Sequence, residues 1–340
     1  FLLESVEHTG TLGKHSFLGA NPSIVFRSKG REVSIFRQGV EERSEHDQPM
    51  ELLRALMRAY QPVQMPGLPE FHGGAVGYMS YDTVRFFETL PDNNPDPLAL
   101  PDLYWMITDT LLVFDHVRNK IQIVSNVHVG DDVDAAYEEG VAKIRVIEEQ
   151  LRAPLKLPME QARPSGETLQ SNFTRQAFCD AVRAAKEYIC AGDIFQVVLS
   201  QRFSREVSVG PVTLYRALRC INPSPYMVLM QFPELALVGS SPEVMTQVRG
   251  GQCMVRPIAG TRPRGVDAAE DLRYEQDLLA DEKERAEHVM LVDLGRNDLG
   301  RVSVAGSVAP VANKRMVIER YSHVMHIVSE VCGRLREDCD

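Results

Sequence analysis

Strand-like segments dominate the first 150 residues, and no regular alternation of strand and helix accompanies them. Val33–Phe36, Tyr104–Phe114 and Lys120–Val127 are rich in β-branched and aromatic residues, which favour strands. Helical spacing of apolar residues occurs at Pro49–Tyr60 and Asp134–Leu151. Because a doubly wound parallel sheet requires a helix after nearly every strand, the pattern predicts an α+β fold instead.

The second half of the chain mixes helix and strand patterns. Thr174 is placed to cap a helix that Gly192 ends, and the strand-like run Ile194–Phe203 follows. Later helices are predicted at about Asp277–Asp293 and Met316–Val331. The intervening segments predict a short helix and three strands, at Val212–Ile221, Leu235–Val238, Val244–Val248 and Cys253–Ile258.

A polar stretch that includes Pro158 and Gly166 separates the two halves and is typical of a linker. We therefore predict three regions: residues 1–152, a linker at 153–172, and residues 173–340.

The chain is acidic, and this restricts its ligands. Its 340 residues include 37 Lys and Arg and 47 Asp and Glu, for a formal net charge of −10 with His neutral. Sequence-independent nucleic-acid binding is disfavoured because it requires a basic surface that displaces counterions. An anionic ligand has to be held by a local basic residue, a helix N-terminus or a bound cation.

Cysteine usage and hydropathy indicate a cytoplasmic protein that does not cross a membrane. The six cysteines show no zinc-like spacing, so we predict free thiols in a reducing compartment. No apolar run approaches the roughly 20 residues that span a bilayer.

Two carboxylates lie three residues apart on a predicted helix. Glu284 and Glu287 share one face, which His288 and Leu291 continue. Paired carboxylates supply hard oxygen ligands that suit Mg²⁺ better than zinc. The same spacing is typical of a solvated acidic helix face, and the residues alone leave both interpretations open.

Two turn-like segments carry further candidates. Glu243 follows a strand among apolar neighbours, where burial could raise its pKa and make it a general acid, although a surface turn is an equally good interpretation. Gly260 permits close backbone approach, and Thr261 and Arg262 offer donors to an anion. A plain turn at a strand end explains that segment as well.

His326 and Gln196 are weaker candidates when taken alone. His326 lies on the predicted last helix, offset from its apolar stripe, where a structural histidine is the default interpretation. Gln196 lies in the predicted strand Phe195–Leu199, where a polar side chain is unremarkable on a half-exposed face.

Taken together and in order, these segments resemble the chorismate-utilising enzymes, and within that family the large components of anthranilate synthase. The matching stretches cover nearly the whole chain and are Leu2–Ser5, Gly73–Tyr78, Tyr81-Asp82, Gly192–Ser200, Asn222–Met227, Gly239–Glu243, Pro257–Gly265, Glu287–Leu294, Arg296–Leu299 and Tyr321–His326. The resemblance implies two facing antiparallel β-sheets with helices outside, and a core shared by the early strands and late helices.

The resemblance also implies a reaction: chorismate and ammonia give anthranilate and pyruvate, the first step of tryptophan biosynthesis. Ammonia is expected from a glutamine amidotransferase partner, and Mg²⁺ is expected as cofactor. By position, Glu287 with Glu284 resembles the metal ligands that bridge to the ring carboxylate of the substrate. Glu243 resembles the acid that protonates the departing 4-hydroxyl, Gly260 and Thr261 line the substrate, and His326 serves the elimination half.

Two positions distinguish the branches of the family. Relatives that add water carry a lysine at the position of Gln196, and a glutamine cannot act as a base. The aminodeoxychorismate branch carries a nucleophilic lysine at the position of Ala259, whose side chain has no nucleophilic group. Both positions favour direct attack by ammonia, which needs no base.

A feedback site for L-tryptophan is implied by two separate segments. Leu2–Ser5 and Asn222–Met227 resemble its two halves, and the second also serves as a proline-rich helix exit. The candidate tryptophan-binding residues are Glu4, Ser5, Asn222, Pro225, Tyr226 and Met227. We predict that substitution of Ser5 relieves inhibition by tryptophan.

The family pattern continues beyond residue 340 with a second acidic pair and a substrate-binding Tyr and Arg. We therefore expect the chain by itself to have half a metal site and little turnover. The alternatives are an aminodeoxychorismate or isochorismate enzyme and, in a different class, a catalytically incompetent tryptophan-binding fragment. A carbohydrate- or nucleic-acid-binding β protein is disfavoured by the single tryptophan, Trp105, and by the net charge.

Overall fold

The computed structural model describes residues 1–6, 13–63, 65–155 and 168–340. The helices of this described part are α1 (Pro49–Arg58), α2 (Val133–Arg152), α3 (Arg175–Ala191), α4 (Pro211–Ile221), α5 (Ala268–Ala280) and α6 (Glu282–Val302), with 3₁₀ turns at Tyr81–Phe86 and Ala312–Lys314. The strands are β1 (Leu2–Glu4), β2 (His15–Gly19), β3 (Ile24–Lys29), β4 (Glu32–Arg37), β5 (Val40–Glu45), β6 (Gly74–Met79), β7 (Leu103–Thr108), β8 (Thr110–Asp115), β9 (Lys120–Ser125), β10 (Gln170–Ser171), β11 (Phe203–Ser204), β12 (Tyr226–Gln231), β13 (Ala236–Ser241), β14 (Gln247–Arg249), β15 (Gln252–Val255), β16 (Ile258–Pro263), β17 (Ala309–Pro310), β18 (Val317–Arg320), β19 (Val324–Val328) and β20 (Val331–Arg334).

Every described strand pairing is antiparallel, which confirms the predicted α+β class. The largest sheet has six strands in the order β13-β12-β1-β2-β8-β9, and the next has five in the order β5-β4-β3-β7-β6. Two smaller sheets, β14-β15-β20-β17 and β16-β19-β18, belong to the later part of the chain, and β10 pairs with β11.

The two largest sheets pack face to face. Val76, Tyr104 and Met106 of the five-stranded sheet contact Met230 and Phe232 at β12, and the ring centroids of Tyr104 and Phe232 lie 4.2 Å apart. On the opposite face of the same sheet, helix α1 packs over a second cluster of buried side chains. Because both faces of β7 are covered, its sequence is continuously apolar rather than alternating.

Strand β1 lies at the centre of the six-stranded sheet, between β2 and β12. Glu4 is directly opposite Met227 in the register of β1 with β12. Tyr215 of α4 packs against Met227 and Leu229 on one face of this sheet. The first residues of the chain and residues beyond 225 therefore share one core.

Helices α5 and α6 cover the two small sheets. Leu278 of α5 packs against Met325 and Ile327 of β19, and all three side chains are fully buried. Leu299 of α6 packs against Cys253 and Val331 in the four-stranded sheet. Helix α6 contacts β15, β16 and β20, so it spans both sheets.

The described chain forms two compact units, residues 1–154 with 215–340, and residues 155–214. In the second unit, the Thr174 side chain accepts a hydrogen bond from Ala177 N and Gly192 ends α3 with φ +84°, as the sequence predicts. Of the predicted linker, residues 156–167 lie outside the described residues. The predicted division into residues 1–152, 153–172 and 173–340 remains a prediction.

Four sequence predictions of local structure are wrong. Met316–Val331 forms strands β18 and β19 rather than a helix, and the segment 194–202 contains no strand. The predicted helix Asp277–Asp293 is divided between α5 and α6 at Asp281. Tyr104–Phe114 is two strands in different sheets, because the chain bends at Asp109.

All six cysteines are free thiols, as predicted. Among the described residues, the structure contains no helix with both the length and the apolar character that a membrane span requires.

Candidate active site

A β-bulge at Gly260 forms the centre of the candidate site. The register of β16 with β19 shifts between Ala259 and Thr261, which leaves Gly260 unpaired with a φ of +71°. This left-handed conformation favours glycine. A Cβ atom here would lie 3.0 Å from Leu278 Cδ1 and 3.3 Å from Glu284 Oε2, so the missing side chain lets the Glu284 carboxylate approach the strand.

His326 lies on β19, directly opposite Thr261 in the strand register. Its Nδ1 is 3.1 Å from Thr261 Oγ1 and 3.0 Å from the carbonyl oxygen of Gly260. Because a carbonyl oxygen can only accept a hydrogen bond, the network assigns the proton to Nδ1. In the neutral ring, Nε2 then keeps its lone pair and can accept a proton.

Glu243 follows β13 in a turn that Ser241 stabilises: Ser241 Oγ donates to the Glu243 carbonyl at 3.0 Å. The residue retains solvent exposure, but burial of the carboxyl group raises the pKa of Glu243. A charge on the nearby His326 ring would lower this pKa, but the effect of burial is the larger one. A carboxyl group with a raised pKa is suited to donate a proton.

Glu284 and Glu287 lie on the inner face of α6. Both side chains are half-buried, and His288 beside them is fully buried. The face they share therefore packs toward the small sheets, whereas the neighbouring Glu282, Lys283 and Arg285 are exposed. Asp281 begins the helix, because its Oδ1 accepts hydrogen bonds from Lys283 N and Glu284 N at 3.0 and 3.1 Å.

The paired carboxylates fit a hard cation. Mg²⁺ in proteins is commonly bound by one or two carboxylates together with water and substrate oxygens, which is the donor set that Glu284 and Glu287 can begin. Within the described ranges, no group of three or more His, Cys, Asp or Glu side chains could enclose a metal ion. The pair is therefore one side of a possible cation site.

Arg262 is not available as a donor to an anionic ligand, contrary to the sequence interpretation. Its Nε donates to Asp277 Oδ2 at 2.6 Å, and its Nη2 donates to Asp281 Oδ2 at 2.9 Å. Both partners belong to the junction between α5 and α6.

Sequence reasoning assigned no role to the buried pair His288 and Ser329. His288 Nε2 is 2.6 Å from Ser329 Oγ, which also accepts a hydrogen bond from Met316 N at 2.9 Å. Burial lowers the pKa of His288, and its Nδ1 has no partner in the part of the chain that the structure describes. The pair joins α6 to the end of β19. The available sequence signal for His288 was its spacing of four residues from Glu284, which places both on the same inward face of α6.

Gln196 belongs to the second compact unit and lies in an irregular segment after α3. The predicted strand around it is absent. The role expected for Gln196 remains a prediction.

The two segments of the predicted tryptophan site are neighbours. Glu4 pairs with Met227 across β1 and β12, and Val6 N donates to the Ser224 carbonyl at 3.1 Å. Ser5 lies between these contacts, and its buried Oγ has no hydrogen-bond partner among the described residues. A buried hydroxyl without a partner is costly, which is typical of a site that a ligand completes.

The Glu4 carboxylate is held by three donors. Tyr215 OH and Arg219 Nε donate to Oε2 at 2.5 and 3.2 Å, and Ser16 Oγ donates to Oε1 at 3.2 Å. Sequence reasoning missed Tyr215 and Arg219, although their spacing of four on α4 places them on one face.

The remaining candidates of this site differ in accessibility. Met227 is 1% exposed and belongs to the core, and Pro225 is buried too. Tyr226 is half-buried, whereas Asn222 is exposed and its carbonyl accepts a hydrogen bond from Ser240 Oγ at 2.6 Å.

Comparison with known proteins identifies the family of the chain. A family model described as chorismate binding enzyme matches residues 2–340. Anthranilate synthase component 1 of Pseudomonas aeruginosa is 47% identical over 346 residues, and that of Acetivibrio thermocellus is 44% identical over 344 residues. Each match covers 99% of this chain and 69% of the relative.

Solved structures give the same result. The crystal structure of anthranilate synthase component I from Streptococcus pneumoniae superposes with a TM-score of 0.80 at 32% identity, over 98% of this chain and 72% of that chain. The menaquinone-specific isochorismate synthase MenF from Escherichia coli has a TM-score of 0.62 at 14% identity, over 94% of this chain and 66% of that chain, which shows a shared fold alone.

Proposed function

The chain belongs to the chorismate-binding enzyme family, and from this premise we propose that it is the large component of an anthranilate synthase. The reaction converts chorismate and ammonia to anthranilate, pyruvate and water. The observation that carries the proposal is the grouping of His326, Thr261 and Glu284 around the bulge at Gly260, with Glu243 near enough to His326 for an electrostatic interaction. This grouping offers a proton donor, a proton acceptor and a carboxylate at one place.

The first half of the reaction replaces the 4-hydroxyl of chorismate by an amine at C2. The ammonia lone pair forms the C2–N bond, the ring double bonds shift, and the C4–O bond breaks. Glu243 gives its proton to the departing oxygen, so that water leaves. The raised pKa of Glu243 supports this role because it keeps the acid protonated to higher pH.

The second half removes the enolpyruvyl group and aromatises the ring. A base takes the proton from C2, and the electron pair forms the ring double bond as the C3–O bond breaks. The enol that leaves becomes pyruvate. His326 suits the base because the Gly260 carbonyl holds the proton at Nδ1 and leaves the lone pair at Nε2.

Glu284 and Glu287 would hold the Mg²⁺ ion. When bound, this cation supplies positive charge that neutralises the ring carboxylate of the substrate. The two glutamates would hold it at the inner face of α6, where their half-buried position makes their attraction for a cation stronger than in open water. This role fits an acidic chain that must bind an anion.

We further infer a glutamine amidotransferase partner as the ammonia source, feedback inhibition by L-tryptophan, and a cytoplasmic location. The name component 1 of the relatives supports a second component. The buried hydroxyl of Ser5, which has no partner in the described part of the chain, and the oriented carboxylate of Glu4 beside it support the inhibitor site, because an amino acid brings an ammonium group and further polar atoms.

An aminodeoxychorismate synthase is the second candidate, and Ala259 disfavours it. This residue lies in β16 immediately before the bulge, is 9% exposed, and carries no nucleophile. The two candidates give different products from the same substrates.

The test is the fluorescence of anthranilate formed from chorismate, Mg²⁺ and ammonium at alkaline pH, with the complete gene product that contains this chain. Because the ammonia-dependent reaction needs no partner, the large component suffices. We expect anthranilate and pyruvate in equal amounts, activity that requires Mg²⁺, and inhibition by tryptophan. Aminodeoxychorismate without pyruvate release, or no turnover of chorismate, would refute the proposal.

A further inference from the structure

One arginine connects the bulged strand to the start of the helix that carries the glutamate pair. Arg262 lies two residues after Gly260 in β16, and its side chain is 21% exposed. Its guanidinium bonds Asp277 in the last turn of α5 and Asp281 between α5 and α6. The strand and the helix junction are thus joined by one side chain.

Asp281 determines where α6 begins. Its backbone N donates the last helical hydrogen bond of α5 to the Asp277 carbonyl at 3.1 Å, while its Oδ1 accepts hydrogen bonds from Lys283 N and Glu284 N and so caps the start of α6. The extended conformation of Asp281 (φ −70°, ψ 110°) separates the two helices. The break therefore sets the direction of α6.

The two aspartates repel each other unless a positively charged group lies between them. They are four residues apart, and Asp277 lies at the C-terminal end of α5, where the helix dipole disfavours a negative charge. Arg262 offsets this repulsion because it donates to one oxygen of each carboxylate. Removal of the guanidinium leaves two like charges at the junction.

We propose that Arg262 is a positioning residue for the cation site: through Asp281 it fixes the first turn of α6, and so it positions Glu284 against the bulge at Gly260 and Glu287 three residues further along the same helix face. The inference rests on the proposed role of these glutamates as Mg²⁺ ligands. Residues that orient metal ligands typically contribute about 10–100-fold to metal affinity. Arg262 itself touches neither the cation nor the substrate.

Arg264 provides the matched control. It lies two residues further along β16 and bonds Asp271 of α5 through Nε and Nη2, with Nη1 donating to the Tyr321 carbonyl at 2.8 Å. Like Arg262, it bonds an aspartate of α5, but none of these partners lies at the start of α6. Loss of either arginine lowers general stability, and only loss of Arg262 disturbs the cap of α6.

The test compares Arg262→Gln with Arg264→Gln in the same complete protein as the activity assay, by hydrogen exchange of the peptide that covers residues 282–290 and by Mn²⁺ binding measured by electron paramagnetic resonance. We expect faster exchange of this peptide and an at least tenfold weaker Mn²⁺ affinity in Arg262→Gln, and less than a twofold change in affinity in Arg264→Gln. Asp281→Asn keeps a capping oxygen. Adding it to Arg262→Gln is expected to cause little further loss of Mn²⁺ affinity. Arg262→Lys, which keeps the charge, replaces Arg262→Gln if that variant does not fold.

Equal effects of the two arginine substitutions, or an unchanged affinity in Arg262→Gln, would overturn the inference. Failure of the proposed metal site is a different result: Mn²⁺ binding that is absent, or that is unaffected by Glu287→Gln, refutes the ligand assignment and the cation part of the inference. Hydrogen exchange still decides whether Arg262 holds the start of α6.

Discussion

Thr261 and His326 face each other across β16 and β19, with Thr261 Oγ1 3.1 Å from His326 Nδ1. The neighbouring Gly260 carbonyl contacts the same nitrogen at 3.0 Å because the bulge turns it toward the histidine ring. The strand pair thus fixes both the position of the imidazole and the nitrogen that carries its proton. In the proposed role of base, His326 would not have to reorganise during the reaction.

The acid role of Glu243 predicts a specific pH dependence. Its pKa is raised by burial, and a general acid works only while protonated, so kcat/KM at a fixed concentration of neutral ammonia is expected to fall as the pH rises through this raised pKa. Glu243→Gln should lose about 10²–10⁴-fold in kcat and lose this pH limb. Glu243→Asp, which keeps an acid, is the control. A Gln variant with an unaltered profile would contradict the role.

Gly260→Ala should damage both stability and the cation site. The left-handed backbone costs a non-glycine residue about 1–2 kcal/mol, and crowding against Leu278 and Glu284 adds about 1–3 kcal/mol. We expect a lower free energy of unfolding in urea and a higher Mg²⁺ requirement. Gly250→Ala, with φ +55° and no neighbour within 4 Å, should lose only the backbone contribution. Equal losses in the two variants would argue against close packing at the bulge.

Substitution of Ser5 should weaken inhibition by tryptophan without loss of stability. Its buried hydroxyl has no partner among the described residues, so Ser5→Ala should leave the urea midpoint unchanged or raise it. If tryptophan completes this site, the same variant should need more tryptophan for half-inhibition, and the bulkier Ser5→Leu should abolish inhibition. Ser16→Ala, which removes a donor to Glu4, serves as a comparison in the same strand pair. Unchanged inhibition in Ser5→Leu would remove this residue from the site.

The ion pair of Asp271 with Arg264 should stabilise the fold in a defined pH range. Arg264 hydrogen bonds lower the pKa of Asp271 to about 2, against an ordinary value of 3.8. Because the folded pKa is the lower one, the contribution is fully present above about pH 4 and disappears as the pH falls through about 2. The difference in unfolding free energy between the parent and Asp271→Asn should therefore shrink over that range. A constant difference would show that packing, not charge, is lost.

The long periodic helices were predictable from the sequence. Residues 49–60 and 134–151 carry a strong apolar period and form α1 and α2 within two residues of the predicted bounds. The grouping of the site residues could be expected only from the family resemblance, because Gly260 and His326 are far apart in sequence and meet through strand pairing.

The failures have a common physical cause in tertiary contacts. Val317 and Val328 fit a helical stripe, yet they lie opposite each other across β18 and β19, because burial of β19 under α5 favours an apolar strand. Asp281, at the break between α5 and α6, accepts a hydrogen bond from Arg262, which lies in a separate strand. Neither the strand pairing nor this long-range hydrogen bond can be read from the local sequence.

The position of β1 in the middle of the largest sheet has a consequence for synthesis of the protein. Its partner β12 begins more than 200 residues later, so the nascent chain cannot close this sheet on the ribosome until residue 231 has emerged. Contacts of such long range form slowly, because the entropy of closing the loop is lost before any contact is gained. During that interval the edges of β1 and β2 stay open to incorrect partners, and a chaperone that shields the first strands is expected to raise the yield of folded protein.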